Sequence, residues 1–243
     1  MDLGLEGRVA VVAASSRGLG RATAEALAAD GAHVLLNGRD EAALDDAVAG
    51  ITAAGGTAAG VLADITEPAV PAELVDDAVA RWGRIDIVVG NAGGPPPARA
   101  LDVDDDALVD AVNANLLSSV RLARAAVPHL RAGGGGRICF ITSVSVRQPI
   151  PGLALSNTAR AGLWAWAKTA AQDLAADGIT VNLACPGPHA TARMTSLGAG
   201  AGAGPLGDPA DFGKVVAFLC SEPAAFVSGT AVGVDGASVS GLL

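Results

Sequence analysis

Three polar side chains between residues 142 and 162 have the types and the spacing to bind a ligand together. Ser143 follows an apolar run, Ser156 comes thirteen residues later, and Arg160 comes four residues after that. In a helix, Ser156 and Arg160 would lie on the same face. A serine hydroxyl can orient or polarise a carbonyl, whereas a guanidinium stays protonated and offers a fixed positive charge. The stretch therefore offers hydroxyl groups that can bind a polar ligand beside a charge able to bind an anionic group.

These side chains need a scaffold, and the hydrophobic pattern predicts alternating strands and helices. Seven apolar runs have strand length: Arg8–Ala14, His33–Asn37, Thr57–Ala63, Ile85–Gly90, Arg137–Thr142, Ile179–Ala184 and Ala231–Val234. Six segments fit helices: Leu19–Asp30, Glu41–Ala54, Pro71–Trp82, Asp104–Arg131, Leu153–Ala176 and Asp208–Leu219. Continuous apolar strands alternating with helices indicate a parallel sheet covered on both faces. The predicted fold class is α/β, a Rossmann-type, doubly wound, seven-stranded parallel sheet with helices on both faces, in one domain over residues 1–243.

The composition of the chain limits the classes of partner that we expect it to bind. The formal net charge of −9 argues against nucleic acid and against an anionic membrane surface. No uninterrupted apolar run approaches about 18 residues, so we expect no membrane span. The three cysteines are widely spaced, which predicts free thiols in a cytoplasmic protein. They show no zinc-ligand spacing, so we expect no metal. We also find no signal peptide pattern, which agrees with a cytoplasmic location. The glycine-rich stretch 198–204 is predicted to be a loop at the place of a substrate lid.

A glycine-rich turn follows the first predicted strand. Its sequence over Ala13–Gly20 is AASSRGLG, and such a turn lets the backbone approach a pyrophosphate at the helix N-terminus. The turn resembles the TGxxxGxG loop of short-chain dehydrogenases/reductases, with Gly18 and Gly20 matching two of its glycines. Ala14 replaces the first glycine, and its methyl group is expected to be tolerated if the backbone there has a negative φ.

The resemblance covers nearly the whole chain and is strongest to the 3-oxoacyl carrier-protein reductase branch. Asp64-Ile65, Asn91–Gly94 and Pro186-Gly187 with Thr191 match family motifs, each at the carboxyl end of a strand, where such sheets bind ligands. The resemblance implies a nicotinamide dinucleotide at this edge. The expected cofactor contacts are Ala14, Ser16, Arg17, Gly18, Leu19, Gly20, Asn37, Arg39, Asp64, Ile65, Asn91, Ala92, Gly93, Arg160, Pro186, Gly187 and Thr191.

Charge after the second strand bears on which nicotinamide cofactor binds. An NAD site places an acidic residue there, whereas an NADP site uses arginine. In this chain the position of the usual aspartate falls near the uncharged Asn37, and Arg17 and Arg39 can both bind a 2′-phosphate. Asp40 is suited to capping the next helix. The sequence therefore favours NADP(H).

The resemblance also implies catalytic roles, and here the chain departs from the family. Ser143 matches the serine that holds the substrate carbonyl, and Asn115 matches the asparagine that holds a relay water. The proton-donating tyrosine and its lysine are replaced by Ser156 and Arg160, and the chain contains no tyrosine. The proton donor is then either a water positioned by Ser156 or another group, for which His189 is the main candidate because imidazole titrates near neutral pH.

Three functions remain open at this point. The first is an NADP(H)-dependent oxidoreductase that interconverts a ketone and an alcohol with an atypical Ser/Ser/Arg site. The second is a non-redox enzyme, such as a dehydratase, cyclase or isomerase, and the third is a catalytically silent binding protein on the same fold. The partners implied are a small carbonyl or alcohol substrate and further copies of this chain, since family members usually form tetramers; a dimer is the alternative.

Overall fold

The computed structural model describes residues 1–197 and 205–241, and its centre is a parallel sheet of seven strands. The strands are β1 (Val9–Val12), β2 (His33–Gly38), β3 (Thr57–Leu62), β4 (Ile87–Gly90), β5 (Gly136–Ile141), β6 (Ile179–Pro186) and β7 (Ala231–Val234). Their order across the sheet is β3-β2-β1-β4-β5-β6-β7. The predicted fold class, a Rossmann-type doubly wound sheet, is confirmed.

Eight α-helices connect these strands in the described part of the chain. They are α1 (Gly18–Ala29), α2 (Glu41–Ala53), α3 (Val70–Trp82), α4 (Asp105–Val112), α5 (Ser118–Ala132), α6 (Ala154–Asp173), α7 (Ala192–Ser196) and α8 (Pro209–Leu219). None of these helices is long and apolar enough to cross a membrane. The lid prediction for 198–204 lies outside the described residues.

The apolar core occupies both faces of the sheet. Val11 and Val12 are neighbours in β1, so their side chains point to opposite faces of the sheet. Both are fully buried, and both faces are therefore covered. The cluster around Val11 includes apolar side chains of α3, α5 and α6, and the cluster around Val12 includes those of α1, α2 and α8. This two-sided burial explains why inner strands such as β1 and β4 are continuously apolar in sequence, whereas the edge strand β3 is exposed or half-buried along its length.

Two predicted helices were wrong in their bounds. The segment 104–131 is not one regular helix, because a π-helical turn over Asn113–Leu117 separates α4 from α5. The segment 153–176 ends as an α-helix at Asp173 and finishes in a 3₁₀ turn over Ala175–Asp177. The short helix α7 was not predicted, since five residues are too few to show a helical period.

The sheet order creates the place for a site. The chain runs outward from β1 to β2 and β3 and then returns to β4 on the other side of β1. The loops that leave the carboxyl ends of β1 and β4 therefore diverge, and a crevice opens between them.

Candidate active site

A pocket of about 1470 Å³ lies along the carboxyl ends of the strands. One end contains the turn after β1 and the loops after β2 and β3, and the other contains the loops after β5 and β6. Every residue predicted from the sequence to contact a cofactor or to take part in catalysis borders this pocket. Their placement together follows from the parallel sheet, because all the carboxyl ends of its strands meet at one edge.

The turn after β1 is held by two asparagines. The Nδ2 group of Asn91 donates to the carbonyl oxygen of Ala14 at 3.0 Å, and Ala14 N donates to Asn37 Oδ1 at 3.3 Å. Asn37 is 1% exposed and also donates through Nδ2 to the carbonyl oxygens of Val61 and Ala63. The amide of Asn37 thus joins the glycine-rich turn to the segment after β3, and it has little remaining capacity for a ligand.

The backbone at Ala14 is strained. Its φ is +46°, in the left-handed region, so the negative φ on which tolerance of the methyl group depended is not present. A non-glycine residue in this region costs about 1–2 kcal/mol.

Substituting Ala14→Gly is therefore expected to raise the free energy of unfolding by about 1 kcal/mol, because glycine adopts this φ without a steric penalty but has a more flexible unfolded chain. Urea denaturation of both proteins measures the difference. The matched control is Ala42→Gly in the exposed first turn of α2, which should lose about 1 kcal/mol instead. A loss of stability in both variants would show that Ala14 is unstrained.

The N-terminus of α1 has backbone N–H groups without a side-chain cap, and it leaves little space for a side chain at residue 20. Its N-cap residue, Arg17, makes no side-chain capping bond, and Gly18 has a φ of +59°. A Cβ atom at Gly20 would lie 2.5 Å from the carbonyl oxygen of Ala14 and 2.7 Å from Asn91 Nδ2. This end of α1 can therefore accept an anion at its N–H groups only while residue 20 remains glycine.

Two arginines form ion pairs at the same end of the pocket. Arg17 Nη2 lies 2.7 Å from Asp40 Oδ2, and Arg39 Nη1 lies 3.1 Å from Asp64 Oδ2. Asp40 also caps α2 through Ala43 N, as predicted. Partial burial acts to raise the pKa of Asp64, but hydrogen bonds from Thr66 and Arg39 outweigh it, so the pKa lies below its usual value. Both arginine side chains are mostly exposed, which leaves them free to exchange partners.

The other end of the pocket holds Ser143, Ser156 and Arg160. Ser143 follows β5, and its Oγ accepts a hydrogen bond from Ser145 N at 3.1 Å. Ser156 and Arg160 share one face of α6, as predicted, and Arg160 Nε donates to Ser156 Oγ at 3.2 Å. In both serines the hydroxyl oxygen accepts a bond, so the hydroxyl proton remains available to a ligand.

Arg160 is a buried cation. It is 8% exposed, and its Nη1 donates to the carbonyl oxygens of Ile141 and Thr142 at 3.1 and 2.9 Å. Burial, and then the nearby charge of Arg193, lower the pKa of the Arg160 guanidinium to about 10. Its side chain still carries a positive charge at neutral pH.

Asn115 lies in the π-helical turn between α4 and α5. Its Oδ1 is buried without a hydrogen-bond partner, and its Nδ2 donates weakly to Ala111 O at 3.4 Å. Asn113, one register away, donates to Thr66 O and accepts from Arg121, so both ends of its amide are occupied. Of the two asparagines, Asn115 is the one whose amide oxygen has no hydrogen-bond partner, but that oxygen is closed off from solvent.

His189 borders the pocket but is packed as a core residue. It is 4% exposed, its ring lies edge-on to Phe212 with centroids 5.3 Å apart, and Nδ1 lies 3.0 Å from Gly187 O. A Cβ atom at Gly207 would meet its Nε2 at 2.8 Å. This geometry favours a structural role for His189 over the proton-donor role predicted for it.

Sequence reasoning missed Arg193. This residue in α7 borders the pocket, donates through Nη2 to Pro95 O at 2.6 Å, and lies across Gly94. Nothing in the local sequence indicates this contact, because Arg193 and Pro95 are 98 residues apart in the chain.

Comparisons with known proteins agree with this arrangement. The family model described as enoyl-(acyl carrier protein) reductase matches residues 13–237. Dehydrogenase/reductase SDR family member 4 of Bos taurus is 32% identical over 249 aligned positions, which cover 98% of this chain and 89% of that protein. The 3-oxoacyl-[acyl-carrier-protein] reductase FabG of Escherichia coli K12 is 34% identical, over 96% of this chain and 98% of its own length.

Solved structures show the same fold. L-Sorbose reductase from Gluconobacter frateurii, complexed with NADPH and L-sorbose, superposes with a TM-score of 0.93 at 30% identity, over the full length of both chains. A 7α-hydroxysteroid dehydrogenase, complexed with NADH and 7-oxo glycochenodeoxycholic acid, gives a TM-score of 0.91 at 28% identity, over 100% of this chain and 98% of that one. The chain therefore belongs to the short-chain dehydrogenase/reductase family, a family of oxidoreductases.

Proposed function

We propose that this protein is an NADP(H)-dependent oxidoreductase that interconverts a small ketone and its alcohol. The observation that carries the proposal is a single pocket that extends from the glycine-rich turn to Ser143, Ser156 and Arg160. Its volume, about 1470 Å³, exceeds the roughly 300–1,000 Å³ of common small-molecule pockets and has room for a dinucleotide together with a substrate. The NADPH complex of L-sorbose reductase supports a nicotinamide cofactor for this chain.

The residues at the glycine-rich turn fit the phosphate groups of such a cofactor. The α1 N-terminus has no side-chain cap, Gly18 adopts a positive φ, and Gly20 leaves a space that a Cβ atom would fill. Arg17 and Arg39, both exposed, would hold a 2′-phosphate after leaving Asp40 and Asp64. The nicotinamide group supplies or accepts a hydride when it is bound.

The chain's own residues would orient the substrate and handle its proton. Ser143, whose hydroxyl proton is free, donates to the substrate carbonyl oxygen. Ser156 stands where the family has tyrosine and Arg160 where it has lysine, and the guanidinium that donates to Ser156 Oγ polarises this hydroxyl. We infer that a water is the proton donor and that Ser156 orients it. Because a positioned acid contributes about 10²–10⁴-fold, the reaction is expected to be slow for this family.

Calorimetric titration with NADPH and NADH tests the cofactor preference. We expect NADPH to bind more tightly, and Arg39→Ala to weaken NADPH binding by about 10- to 100-fold, because a charge-assisted hydrogen bond contributes about 1.5–3 kcal/mol. NADH affinity should change little. The control is Arg81→Ala, which removes an exposed, ion-paired arginine from α3. Equal effects of Arg39→Ala on both cofactors would contradict the 2′-phosphate role, and failure of the unaltered protein to bind either cofactor would remove the proposed function.

We also propose that the protein assembles as a homotetramer or a dimer. Val109 in α4 and Leu117 in the π-helical turn are exposed by 64% and 37%, so this surface presents apolar side chains to solvent. Trp164 and Trp166 of α6, by contrast, are partly buried against the chain's own core. Light scattering in solution measures the assembly.

A further inference from the structure

Two arginines border the pocket and lie near enough to interact electrostatically, and neither forms an ion pair with any described residue. They are Arg160 on α6 and Arg193 on α7, and both border the pocket. In a protein with a net charge of −9, two neighbouring cations without a carboxylate partner are unusual. A buried charge is costly unless it is paired, so this end of the pocket is suited to an anion.

Arg160 has one donor group left for such an anion. Its Nε and Nη1 donate to Ser156 Oγ and to two backbone carbonyl oxygens. Its Nη2 makes no hydrogen bond within the described residues, and it is not among the polar atoms closed off from solvent. The unused nitrogen of a side chain that is only 8% exposed therefore remains accessible from the pocket.

Arg193 is held across the mouth of the same region. Its Nη2 donates to Pro95 O at 2.6 Å, and its guanidinium lies against Gly94, where a Cβ atom would be 2.9 Å from Nε. The bond to Pro95 uses one of the five N–H groups of the guanidinium and fixes its position. The remaining N–H groups donate no hydrogen bond to a described residue.

The acidic residues of the pocket lie elsewhere or make other contacts. Asp40 and Asp64 are paired with Arg17 and Arg39 at the glycine-turn end. Asp110, the other carboxylate that borders the pocket, forms no ion pair with Arg160 or Arg193. Nothing in the described lining neutralises the two arginines.

We propose that Arg160 and Arg193 bind a carboxylate on the substrate, so that the enzyme acts on oxo acids and the corresponding hydroxy acids. This inference rests on the proposed function, in which Ser143 holds the carbonyl that is reduced. Reduction adds one hydride from the reduced nicotinamide and one proton from water, and the carboxylate is unchanged. The guanidinium groups match a carboxylate in shape and charge.

A second source of an anion is the cofactor itself. Thr191, two residues before Arg193, lies beside Gly18, with its Cγ2 3.8 Å from a Cβ atom built there. The test must therefore separate a carboxylate on the substrate from a phosphate on the cofactor.

The experiment compares oxo acids with their amides, which keep the carbonyl and lose the charge. The probes are 2-oxobutanoate, acetoacetate and levulinate, which differ in the distance from carbonyl to carboxylate. The proteins are the unaltered enzyme, Arg193→Gln, Arg193→Lys and the control Arg124→Gln, which removes an exposed arginine of α5 outside the pocket. Arg160→Gln is included, but it also breaks the bonds to Ile141 and Thr142, so the Arg193 variants decide the outcome.

We expect the unaltered enzyme to prefer at least one acid over its amide by about 10- to 100-fold in kcat/KM. Arg193→Gln should lose that preference by raising KM for the acid, Arg193→Lys should retain part of it, and Arg124→Gln should behave as the unaltered enzyme. The affinity for NADPH, measured by calorimetry, should stay the same in all of them.

Two results would overturn the inference. One is the lack of a preference for any of the three acids. The other is a fall in NADPH affinity in Arg193→Gln with equal effects on acid and amide, which would assign the anion to the cofactor. If NADPH does not bind at all, the proposed function fails separately. In that case, calorimetric titration with the three acids alone tests the anion site. Binding of an acid to the unaltered protein that is lost in Arg193→Gln supports the site, and no binding of any acid excludes it.

Discussion

Replacing Ser143 with alanine is expected to lower kcat for carbonyl reduction by about 10²–10³-fold, while NADPH affinity stays nearly unchanged. The hydroxyl oxygen of Ser143 accepts from Ser145 N, so its proton is free to donate to the substrate oxygen, where negative charge develops. The backbone at Ser143 is extended, with φ −166° and ψ 154°, and alanine adopts it without strain. The substitution therefore removes the donor to the substrate, together with the acceptor of the Ser145 N–H bond. NADPH absorbance gives kcat, and calorimetry gives the cofactor affinity.

The neighbouring Ser145 provides a matched control. Its Oγ is buried without a hydrogen-bond partner, and only its backbone N–H contacts Ser143. Ser145→Ala keeps that N–H and should leave kcat within about twofold, with equal or slightly higher stability because an unpaired buried hydroxyl is removed. A similar kcat for Ser143→Ala and Ser145→Ala would exclude Ser143 from the reaction.

The second large effect is expected at Gly20. Substituting Gly20→Ala should weaken NADPH binding by about 100-fold, because displacement by about 1 Å at a preorganised site has an effect of this size. The added Cβ atom would meet the carbonyl oxygen of Ala14 at 2.5 Å and Asn91 Nδ2 at 2.7 Å, so α1 must move away from the turn. That movement also breaks the bond from Asn91 to Ala14. Overpacking of this kind costs about 1–3 kcal/mol of stability as well.

Gly133→Ala is the matched control for this substitution. Gly133 follows α5 with a φ of −79°, and a Cβ atom there would make only ordinary contacts at 3.5 Å. Its NADPH affinity and melting temperature should match those of the unaltered protein. Calorimetry on samples shown to be folded by circular dichroism measures both variants. NADPH affinity of Gly20→Ala within about threefold of the unaltered value would mean that the turn does not hold the cofactor.

The sequence alone was sufficient to predict the order of strands and helices and the parallel sheet. Apolar runs with no polar alternation, such as the one around Val11 and Val12, predict strands buried on both faces, and this is a local property of the chain. The parallel sheet then brings the ends of its strands to one edge. This is why the predicted site residues, from Ala14 to Thr191, all border one pocket although they are far apart in sequence.

Local conformation was less accessible from sequence. The pattern over 104–131 is helical throughout, and the π-helical turn at Asn113–Leu117 interrupts it without a proline or glycine to mark the place. The positive φ of Ala14 is likewise imposed from outside, by hydrogen bonds from Asn91 and to Asn37.

The sequence by itself therefore determined the fold, the edge of the sheet at which the candidate site lies, and the chemical types of Ser143, Ser156 and Arg160. Only the tertiary structure decided which side chains are free to act. It packed His189 against Phe212 and paired Arg17 and Arg39 with carboxylates. It also placed Arg193 across Gly94 and left Arg160 without a carboxylate partner among the described residues. The physical reason is that periodicity records which residues are buried, whereas hydrogen bonds and ion pairs depend on contacts between residues distant in the chain.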